Sequence, residues 1–276
     1  MKRYIFLTIG LLFFISIFSQ RIKTYQGPFE VENGLDNCSP YSGNAIYQYY
    51  EDSDSHERIF QGSFTLKGTD FQISGNYKNN RKNGAWKIII FNGQKENCNS
   101  KRCPTLGGCV ETAKGTYLNG KLNGVWTYTI VDNATNKTFV KSMAQFKNNI
   151  MIGLYTYNAL TSEYRDNEGF EIKINLDSIG LIDGDYLVKY TCGGIPFEDH
   201  RKFQSGKEQS KLLRNLTTGQ ILLDSHKNAD CEANIDHAID FWLLRENWKT
   251  FWTSGLGWDN PIFVLLWGTN LDNLLK

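Results

Sequence analysis

The chain has 276 residues, of which 41% are hydrophobic and 14% aromatic, and its formal net charge is +1. A charge this close to zero excludes a strong overall field that would steer the protein to nucleic acid or to an anionic membrane. The length allows one large or two modest domains, and the high aromatic content favours a β-rich exported protein over a helical cytosolic one.

The N-terminus has the pattern of a secretory signal peptide. Lys2 and Arg3 precede an apolar run from Tyr4 to Phe18, which is shorter than the roughly 20 apolar residues of a comfortable membrane span. We expect cleavage after Ser19, so that residues 1–19 are removed and the protein is secreted or retained in the periplasm or cell envelope. No cysteine stands at the cut, which argues against a lipid anchor, and a retained single-pass anchor is the alternative.

Six cysteines follow the signal, and an even count in an exported chain predicts a disulfide framework. They are Cys38, Cys98, Cys103, Cys109, Cys192 and Cys231. Three of them fall in a polar insertion at 93–115, where we expect at least one bond. The alternative is a zinc site, but the Cys-x4-Cys-x5-Cys spacing lacks the usual pairs and no histidine is near.

One pattern appears twice in the middle of the chain. Residues 75–88 read GNYKNNRKNGAWKI and residues 115–128 read GTYLNGKLNGVWTY, with Gly-x-Tyr followed nine residues after its glycine by Gly-x-Trp. A weaker third copy, AQFKNNIMIGLYTY at 144–157, keeps the spacing. The segment 79–84 supplies residues that tolerate positive φ, so each copy predicts a β-hairpin. Because an isolated hairpin is marginal in water, we expect several hairpins to lie side by side.

The repeated Gly-x-Tyr and Gly-x-Trp unit resembles the MORN family in its bacterial, YwqK-like form. The resemblance is good at 75–91 and 115–130 and extends as fainter echoes from about residue 40 to 207. It implies a mainly β fold, an extended twisted antiparallel sheet of hairpin repeats. It also implies an antitoxin-type partner role, against which the signal peptide argues.

The domain prediction is a repeat domain at 20–207, carrying the stapled insertion, and a mixed α/β capping region at 208–276. A hairpin is predicted at 211–224 and a helix at 228–252, where two apolar stripes occur at helical spacing. The region caps the open sheet in this interpretation. The alternative is a docking surface formed by tryptophans, which are Trp248, Trp252, Trp258 and Trp267.

Two polar segments are interpreted as hairpin loops. Asp52, Asp54, His56 and Glu57 form an acidic cluster that lacks the glycine and closing glutamate of a calcium loop. The same interpretation applies to the segment that begins at Asn133, which carries N-x-Thr sequons.

No catalytic motif is present, so the favoured function is a non-enzymatic exported scaffold that binds an unknown protein or a cell-surface polymer, without a cofactor or metal. It involves neither nucleic acid nor a stable membrane span after signal removal. The candidate binding surface comprises the basic residues near the predicted turns, Lys78, Arg81, Lys82, Lys121 and Lys137. The alternative is a secreted hydrolase with a site around Asp236 and His237.

Overall fold

The computed structural model describes residues 21–31, 41–91, 108–159, 170–192 and 194–222. These residues form fourteen β-strands in a single sheet. The first seven are β1 (Lys23–Val31), β2 (Tyr41–Glu51), β3 (Arg58–Lys67), β4 (Phe71–Lys78), β5 (Arg81–Phe91), β6 (Cys109–Leu118) and β7 (Lys121–Asp132). The others are β8 (Thr138–Lys147), β9 (Ile150–Ala159), β10 (Phe170–Leu176), β11 (Ile182–Cys192), β12 (Ile195–Gln204), β13 (Lys207–Asn215) and β14 (Ile221–Leu222).

The predicted fold class, a mainly β chain built as an extended antiparallel sheet of hairpins, is confirmed. Each strand pairs antiparallel with the strand before it and the strand after it, so the sheet order is the chain order. Over the described ranges we find no helix long and apolar enough to cross a membrane.

The connections of this meander alternate between the two ends of the strands. One end, which we call the hairpin end, carries the connections at 52–57, 79–80, 119–120, 148–149, 177–181 and 205–206. The connections at 68–70 and 133–137 lie at the opposite end. The predicted hairpin loops at 52–57 and 133–137 are therefore confirmed, on opposite ends of the sheet.

One face of the sheet, the inner face, is an apolar surface whose aromatic rings run from strand to strand. Tyr77, Trp86, Tyr117, Trp126 and Phe146 lie on the five neighbouring strands β4 to β8, and all are at most 5% exposed. Ring centroids are 5.1 Å apart for Tyr77 and Trp86, 5.8 Å for Trp86 and Tyr117, and 5.1 Å for Tyr117 and Trp126. Edge-to-face contacts of this kind stabilise a sheet beyond area burial alone. The repeated aromatics thus form one continuous row.

The nine-residue spacing between the two glycines of each copy has a physical cause. In the first copy Ser74 pairs with Lys87 and Asn76 with Asn83, so residues 84–86 bulge opposite Gly75. A Cβ atom at Gly75 would lie 2.2 Å from Cδ2 of Trp86, which covers it. The second glycine, Gly84, has φ +73° at the bulge. One glycine therefore makes room for the tryptophan ring, and the other allows the bulge that turns it inward.

The turns of the three copies are two-residue connections in which both residues have positive φ. They are Asn79-Asn80, Asn119-Gly120 and Asn148-Asn149. Positive φ at both central positions is typical of the type I′ turn that suits the twist of a hairpin. Only the first two residues of the 79–84 segment form the turn, because the strand β5 already begins at Arg81.

Each turn is also tied to the preceding hairpin. The Asn80 amide donates to the Phe60 carbonyl at 3.0 Å, and the Phe60 amide donates to Oδ1 of Asn80 at 2.6 Å. Asn149 and Leu122 make the same reciprocal pair, at 3.0 Å and 2.6 Å. Neighbouring hairpins are thereby locked in register at the hairpin end.

The sheet continues past residue 207, since β13 begins at Lys207 and pairs with β12. The hairpin predicted at 211–224 is present as β13 and β14, and Oδ1 of Asn215 accepts the backbone amides of Thr217 and Thr218 in its loop. Predictions that lie outside the described residues are the signal peptide, the helix at 228–252, the four tryptophans from 248 to 267, Asp236 and His237, and four of the six cysteines. Of the other two, Cys109 is buried at the start of β6 and Cys192 is the last residue of β11.

Candidate binding face

The face opposite the aromatic row, here called the outer face, collects the basic side chains of strands β3 to β8. Residues directly opposite each other in an antiparallel sheet project to the same side. Lys78 lies opposite Arg81. The residues next to them along the strands, Tyr77 and Lys82, project to the inner face, so Lys78 and Arg81 project to the outer face. Lys78 and Arg81 are exposed and flank the Asn79-Asn80 turn. The first predicted hairpin therefore presents two adjacent cations on the outer face.

The structure brings together three of the five predicted surface residues. Lys121 lies opposite Leu118 at the next turn of the hairpin end and joins Lys78 and Arg81 on the outer face. Lys82 is on the inner face, where its Nζ atom lies 5.4 Å from the Trp86 ring centroid and 5.3 Å from that of Tyr117.

The fifth predicted residue is placed elsewhere. Lys137 belongs to the 133–137 loop at the opposite end, with Nζ 5.9 Å from the ring centroid of Phe139. Proximity to a turn in sequence did not distinguish the two ends of the strands.

Five further basic residues, which the turn-based prediction missed, share the outer face with these three. The complete set of exposed outer-face cations on β3 to β8 is Lys67, Lys78, Arg81, Lys87, Lys114, Lys121, Lys141 and Lys147. Strand parity was the signal that could have found them, since each lies one residue from a buried inner-face side chain or opposite an outer-face residue.

Among the described residues of the same region, none of the outer-face strand positions holds an acidic residue. Within the described residues from 58 to 147, the acids are Asp70, Glu111 and Asp132. Asp70 lies outside the strands, in the connection that follows Lys67, while Glu111 and Asp132 are buried. Glu111 accepts a hydrogen bond from the Tyr128 hydroxyl at 2.8 Å, and Asp132 accepts the amides of its own loop. The outer face of β3 to β8 therefore carries charge of one sign.

The C-terminal strands of the same sheet differ, because their outer face carries charges of both signs, with basic and acidic side chains close together. Lys173 lies 2.7 Å from Glu171, Lys189 lies 3.7 Å from Glu198, and Nε2 of His200 lies 3.0 Å from Asp185. Solubility of an exposed sheet is served equally well by such mixed charges. The single sign on β3 to β8 is thus a local feature and not a property of the whole surface.

Like charges lie directly opposite each other at two positions of this face. Lys78 is opposite Arg81, and Lys87 is opposite Lys114. Directly opposed like charges destabilise a sheet, by an amount on the order of a few tenths of a kcal/mol at exposed sites. An anion bound between the two side chains would relieve this repulsion.

Arg201 and Asp199 form a buried ion pair on the inner face. Arg201 donates from Nη2 to Asp199 at 2.7 Å and from Nη1 to Glu208 at 3.2 Å, and both Arg201 and Asp199 are at most 4% exposed. A fully hydrogen-bonded buried pair of this kind is structural. The part of the chain that the structure describes contains no group of three or more His, Cys, Asp or Glu that could hold a metal ion.

A tyrosine cluster surrounds Arg58 near the first strands. Its guanidinium lies 5.2 Å from the Tyr25 ring centroid and 5.0 Å from that of Tyr49, and it donates to the Tyr47 hydroxyl at 3.0 Å. Burial raises the pKa of Tyr47, and the hydrogen bond to Tyr47 raises the pKa of Arg58. The phenol therefore stays neutral and Arg58 stays charged, so this cation serves inner-face packing.

No protein-family model matches this chain, and no curated protein matches its sequence.

Proposed function

We propose that this protein is an exported, MORN-like repeat scaffold that binds an anionic partner, a protein or a cell-surface polymer, through the outer face of β3 to β8. The observation that carries the proposal is the single sign of charge on that face, where eight basic side chains are exposed and none of the described residues at outer-face positions of β3 to β8 is acidic. Clustered charges of one sign raise the local concentration of an oppositely charged partner and set its orientation.

The geometry of the sheet supports a partner of some length. Neighbouring strands are about 4.8 Å apart, so the five intervals from β3 to β8 span about 24 Å. The hydrogen bonds from the turns at 79–80 and 148–149 to strands β3 and β7 hold neighbouring hairpins in fixed register. Because the strands are already ordered, binding an extended anion would require no ordering of the protein backbone. The conformational entropy lost by the protein would come mainly from the lysine side chains.

The test is recovery of partners from the envelope fraction and the medium of the source organism. The protein would be compared with a variant carrying Lys78→Gln, Lys87→Gln and Lys114→Gln. The matched control carries Lys173→Gln, Lys189→Gln and Lys202→Gln, which changes the net charge equally but affects the C-terminal strands. We expect the control to retain its partner and the outer-face variant to lose it.

Two outcomes would contradict the proposal. Equal loss from both variants would mean that overall charge, and not this face, retains the partner. A hydrolytic activity abolished by Asp236→Ala and His237→Ala would instead establish the secreted hydrolase.

A further inference from the structure

The outer face also carries apolar side chains, and these lie among its cations. Leu118, Val125, Ile150 and Leu154 are 49%, 52%, 43% and 43% exposed. We call these four residues the apolar patch. Leu118 lies opposite Lys121, and Ile150 lies opposite Lys147, so two of the four are direct neighbours of cations at the hairpin end. Single exposed apolar side chains are common on protein surfaces, so the informative feature of these four is where they recur among the hairpins.

The two central members of the apolar patch repeat with the hairpins. Val125 follows the bulge glycine Gly124, and Leu154 follows Gly153, so each occupies the same position of its hairpin. In both bulges the next residue, Trp126 or Tyr155, points inward and is buried, which leaves Val125 and Leu154 on the outer face. The bulge that the glycine spacing creates therefore presents an apolar side chain outward once per hairpin.

Cations lie on both sides of the two central residues. Lys121 and Lys147 lie toward the hairpin end. Lys114 lies toward the opposite end, on the far side of the bulge, where it pairs with Thr127. A partner that covers Val125 and Leu154 must therefore present an apolar stripe with acidic groups along both of its edges.

We propose, on the basis of the proposed function, that the partner's contacting element is an acidic amphipathic α-helix lying across strands β5 to β9. Val125 and Leu154 are two strands apart, which corresponds to about 10 Å. Seven residues of an α-helix rise about 10.5 Å, so two helix residues seven positions apart would contact Val125 and Leu154 on successive hairpins. Acidic residues flanking the apolar stripe complement the lysines on either side.

Other anionic partners fit this face less well. A polyanionic polysaccharide would neutralise the lysines but leave the four apolar side chains facing sugar hydroxyls. An anionic membrane prefers aromatic anchors, whereas Trp86 and Trp126 are buried on the inner face. An added β-strand would need a free strand edge, and the patch lies within the sheet.

The test is binding of a designed peptide to the purified exported protein, followed by fluorescence anisotropy. The probe is a helical peptide of about 18 residues, ~27 Å long, with a leucine stripe flanked by glutamates. The comparison probes are a scrambled peptide of the same composition, polyglutamate, and vesicles containing phosphatidylglycerol. The apolar variant is Val125→Ser with Leu154→Ser. Its matched control is Ile46→Ser with Ile195→Ser, two residues that are 47% and 43% exposed outside the patch.

We expect the designed peptide to bind the unchanged protein and the matched control with the same affinity. The scrambled peptide should bind the unchanged protein about tenfold or more weakly, and the designed peptide should bind the apolar variant about tenfold or more weakly. Equal binding of the scrambled peptide or polyglutamate, unaffected by the apolar variant, would overturn the helix and leave the proposed function standing. Binding of vesicles alone, lost in the apolar variant, would overturn it in favour of a membrane surface. If no probe binds and the Lys78, Lys87 and Lys114 variant also keeps its natural partner, both proposals fail.

Discussion

At the scale of single residues, the repeat depends on a glycine that lies beneath a tryptophan. Trp126 covers Gly115 in the same way that Trp86 covers Gly75. In both copies a Cβ atom at the glycine would lie 2.2 Å from Cδ2 of the tryptophan ring. The indole Nε1 atoms donate to the carbonyls of Asn76 and Thr116 at 3.1 Å and 2.9 Å. Each tryptophan is therefore fixed by packing and by one hydrogen bond at once.

Replacing Trp126 by Ala should lower the free energy of unfolding by about 3–5 kcal/mol, because the side chain is fully buried and its removal leaves a cavity. Trp86→Ala should cost a similar amount. Urea denaturation measures both. A loss below ~1 kcal/mol would contradict the packed row and mark an aromatic that faces a ligand.

The third copy of the repeat suggests how the glycine and the tryptophan are coupled. There Ala144 replaces the glycine, and Tyr155 holds the tryptophan's position in the bulge. Gly115→Ala should therefore be strongly destabilising alone, and less so when combined with Trp126→Tyr. A double-mutant cycle checks this, and additive effects would show that the two positions are independent.

Two buried tyrosines make stability sensitive to alkaline pH. Burial raises the pKa of Tyr117 and of Tyr155 far above the usual value near 10. The native state then keeps protons that the unfolded chain releases, so stability is complete below pH ~10 and falls as the pH rises, by up to ~1.4 kcal/mol per pH unit for each group. Denaturation between pH 9 and 11 measures the slope, and Tyr117→Phe should reduce it. An unchanged slope would contradict the assignment to Tyr117.

At the scale of elements, the hairpin with its bulge is the unit, and its turn joins it to its neighbour. Asn80 combines a positive φ of 61° with a side chain that accepts the Phe60 amide. The second copy has Gly120 at the same position and keeps only the backbone bond, from the Gly120 amide to the Lys82 carbonyl at 2.8 Å.

Asn80→Ala should be more destabilising than Asn80→Gly, since alanine loses the hydrogen bond and also disfavours the left-handed backbone. We expect about 1–2 kcal/mol for alanine and roughly half of that for glycine. Thermal unfolding of the two variants side by side measures the difference. Equal losses would show that only the side-chain bond matters at this turn.

The strand pattern explains which features could be predicted from the sequence. The hairpins and the fold class could be predicted because they depend on local packing and turn geometry. The nine-residue spacing of the glycines and the alternation of Tyr and Trp with polar residues both reflect that local geometry. The face of each lysine follows from strand alternation once the strand pairing is known. Lys82 and Lys87 both lie on β5, five residues apart, and unbroken alternation through residues 84–86 places them on opposite faces.

At the scale of the whole molecule, a net charge of +1 conceals two surfaces of different character. The outer face of β3 to β8 is cationic, and that of β10 to β12 carries side chains of both signs close together. Overall charge thus gave no indication of the cationic face that we propose binds the partner, because only strand pairing places distant lysines beside each other.

The cationic face should reduce stability in the absence of a partner. Lys114→Thr removes the repulsion with Lys87 and should raise the free energy of unfolding by about 0.2–1 kcal/mol at low salt, with the gain disappearing at 1 M salt as charges are screened. Lys173→Thr, which breaks the pair with Glu171, should give no gain. A stabilisation by Lys114→Thr that is independent of salt would show that strand propensity is the cause.

Lysine footprinting tests the binding face most directly. The protein would be acetylated briefly with and without the envelope fraction that contains its partner, and each lysine would be quantified by mass spectrometry. We predict protection of Lys78, Lys87, Lys114 and Lys121, with Lys173, Lys189 and Lys202 modified equally in both samples. Uniform modification of all seven, or protection confined to the C-terminal strands, would contradict the assignment of the outer face of β3 to β8 as the binding surface.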